Sequence, residues 1–494
     1  MLRSGKNQRK FIHDQNNYRL KHMRIFICIT LGLFIYSCSK KENLEKPNII
    51  LIMTDDQGWG QTGYYDHPVL KTPNLDKMAR NGIRFDRFYA SAPVCSPTRA
   101  SVLTGRANDR TGVFDHGYAL RTQEKTIAQA LQKIGYSTGH FGKWHLNGLR
   151  GPGVPILKND THSPGKFGFS YWFSTTNFFD INPLMSDNGN FIDLKGTSSK
   201  VIFDEAIKFI KKNKTAESPF FAVIWDGSPH DPFLSKKQDK KSFQNLDQKS
   251  QNHYGELVAF DNNLGIFRKK LREMNVSKNT IIWYCSDNGG LKNINPETVG
   301  GLKGFKGSIW EGGIRVPSII EWPIMIKQNR ITTYPASTID IFPTIADIVG
   351  IDELDMITPM DGISLLPMMN SKLEKREIKI PFRFRDKGAL IDNNFKLIVT
   401  SLTNQQFELY DLENDPKESN NLADTKSELF GTMKKDYIKW SLSVDSSVLG
   451  RDYPENILFD QPERHFWMKD DRYKPYLKEF VKRPEYEKRI KKSK

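Results

Sequence analysis

Ala92-Pro93-Val94-Cys95-Ser96-Pro97-Thr98-Arg99-Ala100-Ser101-Val102-Leu103-Thr104-Gly105-Arg106 reads as a loop that turns into a short helix and stops at a glycine. Pro97 suits a helix's first turn, where a missing N–H leaves nothing unsatisfied, and Ser96 is the candidate cap. Ala100 to Leu103 carry the helix on until Thr104-Gly105 ends it. Cys95 is thereby placed at the positive end of the helix dipole, where anions are welcome. Arg99, four residues on, falls on the same face. A sulfur nucleophile, a permanent cation and an anion site would together form a reactive arrangement. A small buried thiol packed beneath a helix is the other reading of Cys95.

Strand-like runs stand on both sides of this stretch. Asn48-Ile49-Ile50-Leu51-Ile52-Met53 is a continuous apolar run of the kind buried on both faces of a parallel sheet, and it ends in Thr54-Asp55-Asp56-Gln57-Gly58. A helix from Thr72-Pro73 and a strand from Ile83 to Tyr89 lead to the cysteine. A helix near 126–134 and a strand over 136–141 follow, running into Gly142-Lys143-Trp144-His145. Residues 147–200, rich in Gly, Asn and Phe, are expected mostly as loops. A helix near 200–212 and a strand over 220–225 precede Ser228-Pro229-His230. A long helix near 250–274 and a strand over 280–285 precede Ser286-Asp287-Asn288-Gly289-Gly290.

Strands alternating with helices predict an α/β fold, a mostly parallel sheet between helices. Asp55-Asp56, Lys143 with His145, His230 and Asp287-Asn288 each follow a strand-like run. The carboxyl ends of strands in such a sheet share one edge, where ligands bind, so these four clusters are expected to converge. Asp55, Asp56, Asp287 and Asn288 offer only oxygen donors, a set suited to a hard cation such as Ca²⁺ or Mg²⁺ and not to zinc. Adjacent carboxylates repel unless a cation neutralises them. Capping of the turn after the first strand is the alternative for Asp55-Asp56.

After about residue 375 short strands at 388–391, 395–399 and 407–411 predict an antiparallel sheet, with a helix near 424–440 packed on it. The expected organisation is a leader and tether over 1–45, a catalytic domain over 46–375, a small C-terminal α+β domain over 376–450 and a basic extension over 451–494. The extension is expected to be solvated or to wrap the body, with substrate contact as the alternative. In the leader, Arg24 precedes the apolar run Ile25–Tyr36, too short to span a bilayer, which ends at Ser37-Cys38. This resembles a bacterial lipoprotein box, with Cys38 lipidated and residues 39–43 as a tether in the cell envelope. A cleaved secretory peptide competes with it, and Met23 competes with Met1 as the start. Either way the protein is expected to be exported, to the outer membrane or periplasm.

The net charge is +16, with seven Lys and Arg against one Asp in residues 1–24 and twelve against six acids in 463–494. Most of the excess is therefore terminal. No basic helix or aromatic sheet motif accompanies it, so no nucleic acid is expected as partner, whereas a polyanionic glycan is compatible. Cys28, Cys38, Cys95 and Cys285 show no metal spacing and no disulfide framework.

Cys95-Ser96-Pro97-Thr98-Arg99, followed by Leu103-Thr104-Gly105-Arg106, resembles the signature of type I sulfatases, the formylglycine-dependent members of the alkaline-phosphatase-like superfamily. Further motifs of that family follow in order from about Lys46 to about Ala423. Among them are Gly142-Lys143-Trp144-His145, Lys306 ahead of Glu311-Gly312-Gly313, and Glu408 to Pro416 of the C-terminal subdomain. The resemblance implies an alkaline-phosphatase-like fold. It implies oxidation of Cys95 to formylglycine (3-oxoalanine) by a formylglycine-generating or sulfatase-maturating enzyme. One Ca²⁺, or less expectedly Mg²⁺, would be held by Asp55, Asp56, Asp287, Asn288 and the oxygen of residue 95.

Roles are implied as well. Lys143 and Lys306 would bind the sulfuryl oxygens, and Arg99 would hold the formylglycine hydrate. Asp287 would accept its proton, and His230, close to the ester oxygen, would protonate the leaving group. His145 would deprotonate the remaining hydroxyl so that sulfate leaves by elimination. The activity implied is hydrolysis of sulfate esters on an oligo- or polysaccharide, algal (ulvan, carrageenan, fucoidan) or glycosaminoglycan. Rival readings are a phosphate or phosphonate monoester hydrolase of the same superfamily and a non-catalytic glycan-binding lipoprotein. His67, His116 and His253 are expected to be structural, and His140 is left open. Lys303 is expected to be solvated, Glu311 and Arg315 to support the Lys306 turn, Trp172 to pack in a loop, with lining of a sugar groove as the alternative, and Cys285 to be inert in its strand.

Overall fold

Continuous runs of Ile, Leu, Val, Phe and Trp cannot leave either face to water, and they form the centre of one large sheet. The computed structural model describes residues 45–459 and 464–492, so Cys38 and nearly all of the expected leader lie outside the described residues. The first strands are β1 (Asn48–Thr54), β2 (Ile83–Tyr89), β3 (Ser137–Lys143), β4 (Leu149–Arg150) and β5 (Tyr171–Thr175). They are followed by β6 (Leu184–Asp187), β7 (Asn190–Asp193), β8 (Phe220–Trp225) and β9 (Thr280–Ser286). Next come β10 (Arg315–Glu321), β11 (Arg330–Thr332) and β12 (Ala336–Ser337).

The main sheet runs β11-β2-β10-β9-β1-β8-β3-β5-β6-β7, with β12 beside β2. Its core, β9-β1-β8-β3-β5, is parallel throughout, whereas β10 is antiparallel to both its neighbours. Helices Ser198–Thr215 and Gln248–Glu273 cover one face through Phe203, Phe260 and Phe267. Helices Cys95–Thr104, Ile127–Lys133 and Ile341–Val349 cover the other. The expected α/β architecture is therefore present. None of the described helices is long and apolar enough to cross a membrane.

From Pro47 onward the chain forms one compact unit. Strands β13 (Ile380–Phe384), β14 (Lys387–Asp392), β15 (Phe395–Ser401) and β16 (Gln406–Asp411) make the expected antiparallel sheet. Helix Ser427–Val448 packs Met433 and Tyr437 against Leu390, Leu397 and Leu409. The opposite face of that sheet sets Phe384, Ile398 and Tyr410 against Val94 and Ile309. The second sheet thus backs the loops that carry Cys95 and Lys306.

Two expectations need correction. The stretch 147–200 is mostly loop as expected, although β5, β6 and β7 within it extend the main sheet, but Trp172 is buried inside β5 and not packed in a loop. Ser96 does not cap the Cys95 helix; Val94 stands at the N-cap, and the Ser96 hydroxyl accepts the Gly117 amide instead. Of the two forms expected for the extension, its described residues take the wrapping one. His465–Phe466 pairs with β4, and Trp467, Tyr473, Phe480, Tyr486 and Ile490 bury themselves with Leu149, Val154 and Leu157.

Candidate active site

Register decides which side chains meet. Thr54 of β1 pairs with Ser286 of β9, so Asp55 and Asp287 stand one residue past the ends of adjacent parallel strands. Lys143 closes β3, and the loop after β8 carries His230. Because β10 is antiparallel, its amino end lies at the same edge, and the turn before it delivers Lys306. That turn is tied at both sides, by Lys306 N to Gly290 O and by Gly307 N to Pro93 O, each at 2.9 Å. A Cβ on Gly313 would lie 1.9 Å from Ser308 O, so the close doubling-back of this turn requires glycine.

The helix Cys95–Thr104 is buried along its whole length and ends at Gly105, φ 68°. Its first turn aims Cys95 and Arg99 at the same edge. Cys95 Sγ donates to Asp55 Oδ1 at 3.3 Å and lies 4.0 Å from Asp56 Oδ1. Arg99 Nη2 meets Asp287 Oδ2 at 2.7 Å, Nη1 donates to Lys143 O at 3.1 Å, and the guanidinium sits 5.0 Å over the Trp225 ring. Lys143 Nζ meets Asp55 Oδ2 at 2.6 Å, and Lys306 Nζ meets Asp56 Oδ1 at 2.5 Å. Asn288 Nδ2 donates to that same Asp56 oxygen at 2.9 Å, and the Asp56 amide donates to Asp287 Oδ1 at 3.1 Å.

Three buried carboxylates therefore face three permanent cations. Burial alone would raise Asp55, but Lys143, with help from His230 and Arg99, holds its carboxyl down at about 2. Burial and the Asp55 charge push Asp287 up. Burial, then Asp287 and Asp55, push the Cys95 thiol well up, so the unmodified side chain stays protonated and is a weak nucleophile.

Two histidines flank the cage in different ways. His230 stacks on Phe178 with centroids 4.5 Å apart, and its Nδ1 donates to Asp231 O at 2.6 Å. That bond commits Nδ1 and leaves Nε2 toward the site, 3.8 Å from Asp56 Oδ2. His145 is buried with φ 58°, and neither ring nitrogen has a partner among the described residues. Burial, with Lys143 and Arg99 adding to it, pushes His145 well below the usual histidine range.

Oxygens of Asp55, Asp56 and Asp287 lie with Cys95 Sγ all within 4.8 Å of one another. Asn288 Oδ1 is buried beside them without a hydrogen-bond partner. An all-oxygen donor set with an unclaimed carbonyl oxygen fits a hard divalent cation. All ten residues singled out from the sequence for this site come together at this edge.

Around it, Glu311 is buried against Lys396 of β15 at 3.0 Å and Arg315 at 3.5 Å, supporting the Lys306 turn as expected. Lys303 is exposed but not free, since it donates to Glu418 O at 3.0 Å and lies 3.5 Å over the Trp310 ring. His140 bonds Ser174 Oγ among the rings of Trp144, Phe169 and Trp225, away from the cage. His67 and His253 serve structural bonds, to the Leu70 amide and to Gln61. His116 is tied by its Nδ1 to Asp115 Oδ1 at 3.1 Å and by its Nε2 to Arg150 at 3.2 Å, and its ring lies 6.5 Å from that of His145.

The sulfatase family model matches residues 47–351, and a model described as N-sulphoglucosamine sulphohydrolase, C-terminal, matches residues 305–439. N-acetylgalactosamine-6-sulfatase from Canis lupus familiaris is 31% identical over 68% of this chain and 68% of its own. The ulvan-active sulfatase of Formosa agariphila is 28% identical over 74% of this chain and 73% of its own. The solved structure of Ps i-CgsB in complex with k-i-k-neocarrahexaose superposes with a TM-score of 0.71 at 25% identity, covering 90% of this chain and 100% of that one. With the carboxylate cage, the paired lysines and the buried Cys95-Arg99 turn in place, the chain belongs to the sulfatase family and is a sulfuric ester hydrolase.

Proposed function

We propose that this hydrolase removes sulfate from a sulfated oligo- or polysaccharide, using residue 95 as formylglycine and a Ca²⁺ ion in the carboxylate cage. The observation that carries the reading is the meeting of Cys95 with three buried carboxylates, two lysines and an available imidazole at one sheet edge. A carbohydrate substrate is supported by the relatives, whose names specify N-acetylgalactosamine-6-sulfate and ulvan, and by the neocarrahexaose-bound neighbour.

Asp55, Asp56, Asp287 and Asn288 would hold the cation together with residue 95. When present, the aldehyde hydrate supplies the nucleophile and the cation supplies positive charge against the sulfuryl oxygens. The chain's own side chains do the rest. Lys143 and Lys306 bind the sulfuryl group from two sides of the cage. Arg99, fixed by Asp287 and by Trp225, orients residue 95. Asp287 takes the proton from the attacking hydroxyl. His230, its Nδ1–H committed to Asp231 O and its ring steadied by Phe178, acts in its imidazolium form, giving the second proton, on Nε2, to the departing sugar oxygen. His145, with both nitrogens unclaimed, takes the proton of the remaining hydroxyl on residue 95.

The leader is proposed as an export signal with Cys38 lipidated, placing the enzyme in the cell envelope near polymeric substrate. A formylglycine-generating or sulfatase-maturating enzyme is its required partner.

A panel of defined sulfated oligosaccharides, algal and glycosaminoglycan, tests the reading, with released sulfate and product masses measured. Matched aryl sulfate and aryl phosphate esters run alongside, and the peptide containing residue 95 is weighed. Sulfate release from at least one oligosaccharide and a formylglycine mass are expected. Faster phosphate than sulfate hydrolysis, or an unaltered thiol in fully active protein, would overturn it.

A further inference from the structure

A pocket of about 390 Å³ is lined by residues that none of the roles above uses. Its walls come from the turn at 109–118 after the Cys95 helix, from the β13–β14 hairpin tip, and from Arg464 of the extension. Three contacts tie it to the reacting centre. Gly117 N donates at 2.8 Å to the hydroxyl of Ser96, the residue next to Cys95. The His116 ring neighbours that of His145 at 6.5 Å. Phe384, next to Arg385, packs in one cluster with Val94, the residue before Cys95.

Its lining carries three arginines, Arg383, Arg385 and Arg464, against two aspartates, Asp109 and Asp115. Arg385 is 65% exposed and meets Asp115 Oδ2 at 2.7 Å, and Arg464 meets that same oxygen at 3.2 Å. Asp115 also accepts the His116 amide at 2.8 Å, so two guanidinium groups share one already engaged carboxylate. Arg383 is matched by contrast, with Asp109 at 3.2 Å and Asp445 at 2.6 Å. Tyr118 adds an aromatic face 4.6 Å beneath Arg464. A guanidinium with N–H groups to spare has the fork geometry that fits a sulfate or a carboxylate in two-point contact. Arg385 also holds φ 56° at the hairpin tip, a position that ordinarily takes glycine or asparagine. An arginine kept there at a conformational cost is the pattern of a residue retained for what its side chain does.

We propose that Arg385 and Arg464 form a subsite for a second acidic group of the substrate, carried on the sugar adjoining the one that loses its sulfate. This rests on the carbohydrate reading above. The ligand chemistry is a sulfate or a carboxylate, and the subsite makes the enzyme favour multiply acidic chains over singly charged esters.

The test uses the mature enzyme, 4-methylumbelliferyl sulfate, and sulfated disaccharides in matched forms, the neighbouring sugar bearing a sulfate, a carboxylate or neither. Arg385→Ala is expected to lower kcat/KM about tenfold on a doubly acidic form, through KM, because one charge-assisted contact is lost. On the singly acidic form the expected change is less than about twofold, the range of a lost exposed contact. Arg385→Lys is expected to recover part of the discrimination. Equal losses on all disaccharides would overturn the subsite and leave the sulfatase reading standing. Wild-type enzyme that cleaves the aryl sulfate but no disaccharide would overturn the carbohydrate reading and the subsite with it.

Discussion

The strand-end edge and the C-terminal extension are both buried, and they bury opposite things. At the edge the hidden groups are charges: Asp55, Asp56 and Asp287 against Lys143, Lys306 and Arg99. In the extension they are rings, Trp467, Tyr473, Phe480 and Tyr486, packed on Leu149, Val154 and Leu157. Buried ion pairs return little net stability, because their attraction is spent on desolvation. Buried rings return a great deal. The edge is therefore where the chain keeps its chemistry, and the extension is where it keeps part of its stability. Each substitution below tests that separation.

Cys95→Ala carries the largest expected effect. It removes the nucleophile's precursor but only one small buried group, so hydrolysis should fall on the order of 10⁵-fold while Tm barely moves. Aryl sulfate turnover and calorimetry on one preparation check both halves. Trp467→Ala is the mirror image. Truncating a buried tryptophan costs about 3–5 kcal/mol, read as a lower denaturation midpoint, while kcat of the folded enzyme stays near wild type. A Trp467→Ala protein of normal stability but no activity would break the comparison.

His230→Gln sits between these two. Loss of a proton donor costs about 10²–10³-fold on sugar sulfates, whose leaving oxygen needs the proton. The loss should be smaller on an aryl sulfate, whose phenolate leaves unaided. Equal losses on both would remove His230 Nε2 from that role. Chelation should lower both activity and Tm, since an ion that binds only the folded state adds about 2.7 kcal/mol at a hundredfold excess over its Kd. Return of both with added Ca²⁺, against Mg²⁺ at equal concentration, identifies the cation.

The two regions also differ in how visible they were in the sequence. Asp55, His230 and Asp287 could be found because each follows a strand built on a continuous apolar run, His145 because it follows the shorter strand-like stretch of β3, and parallel strands must end together. That rule does not reach Lys306, which precedes an antiparallel strand, so only its motif marked it. His116, Arg385 and Arg464 carried no local signal. They are brought together by a turn, a hairpin from a second sheet and a strand pairing with β4. The extension's rings fall one to each of several short helical turns, with no continuous apolar period between them, so their common cluster could not be read in advance. Strands β6 and β7 were hidden for the same reason, being four residues each with little alternation.

The smallest expected effect tests whether a carboxylate at the edge must belong to the chemistry. Asp226 follows β8 as Asp55 follows β1, and it is as deeply buried. Its partners include the Ser199 hydroxyl at 2.5 Å and the Ser228 amide at 3.2 Å, and among the described residues it makes no ion pair with a lysine or arginine. Burial raises its pKa to about 6 despite those hydrogen bonds, where Lys143 holds Asp55 at about 2. A raised carboxyl binds its proton more tightly in the folded chain. Its contribution is therefore full below about pH 4 and lost as pH rises through 6. Asp226→Asn keeps the shape and cannot ionise. Its Tm relative to wild type should therefore climb between pH 4 and 7, by about 2 °C for a protein of this size, with activity retained. A Tm difference that stays flat with pH would mean that Asp226 is ionised throughout. A counter-ion would then have to face the β8 end as well, making it part of the charged edge and not its structural neighbour.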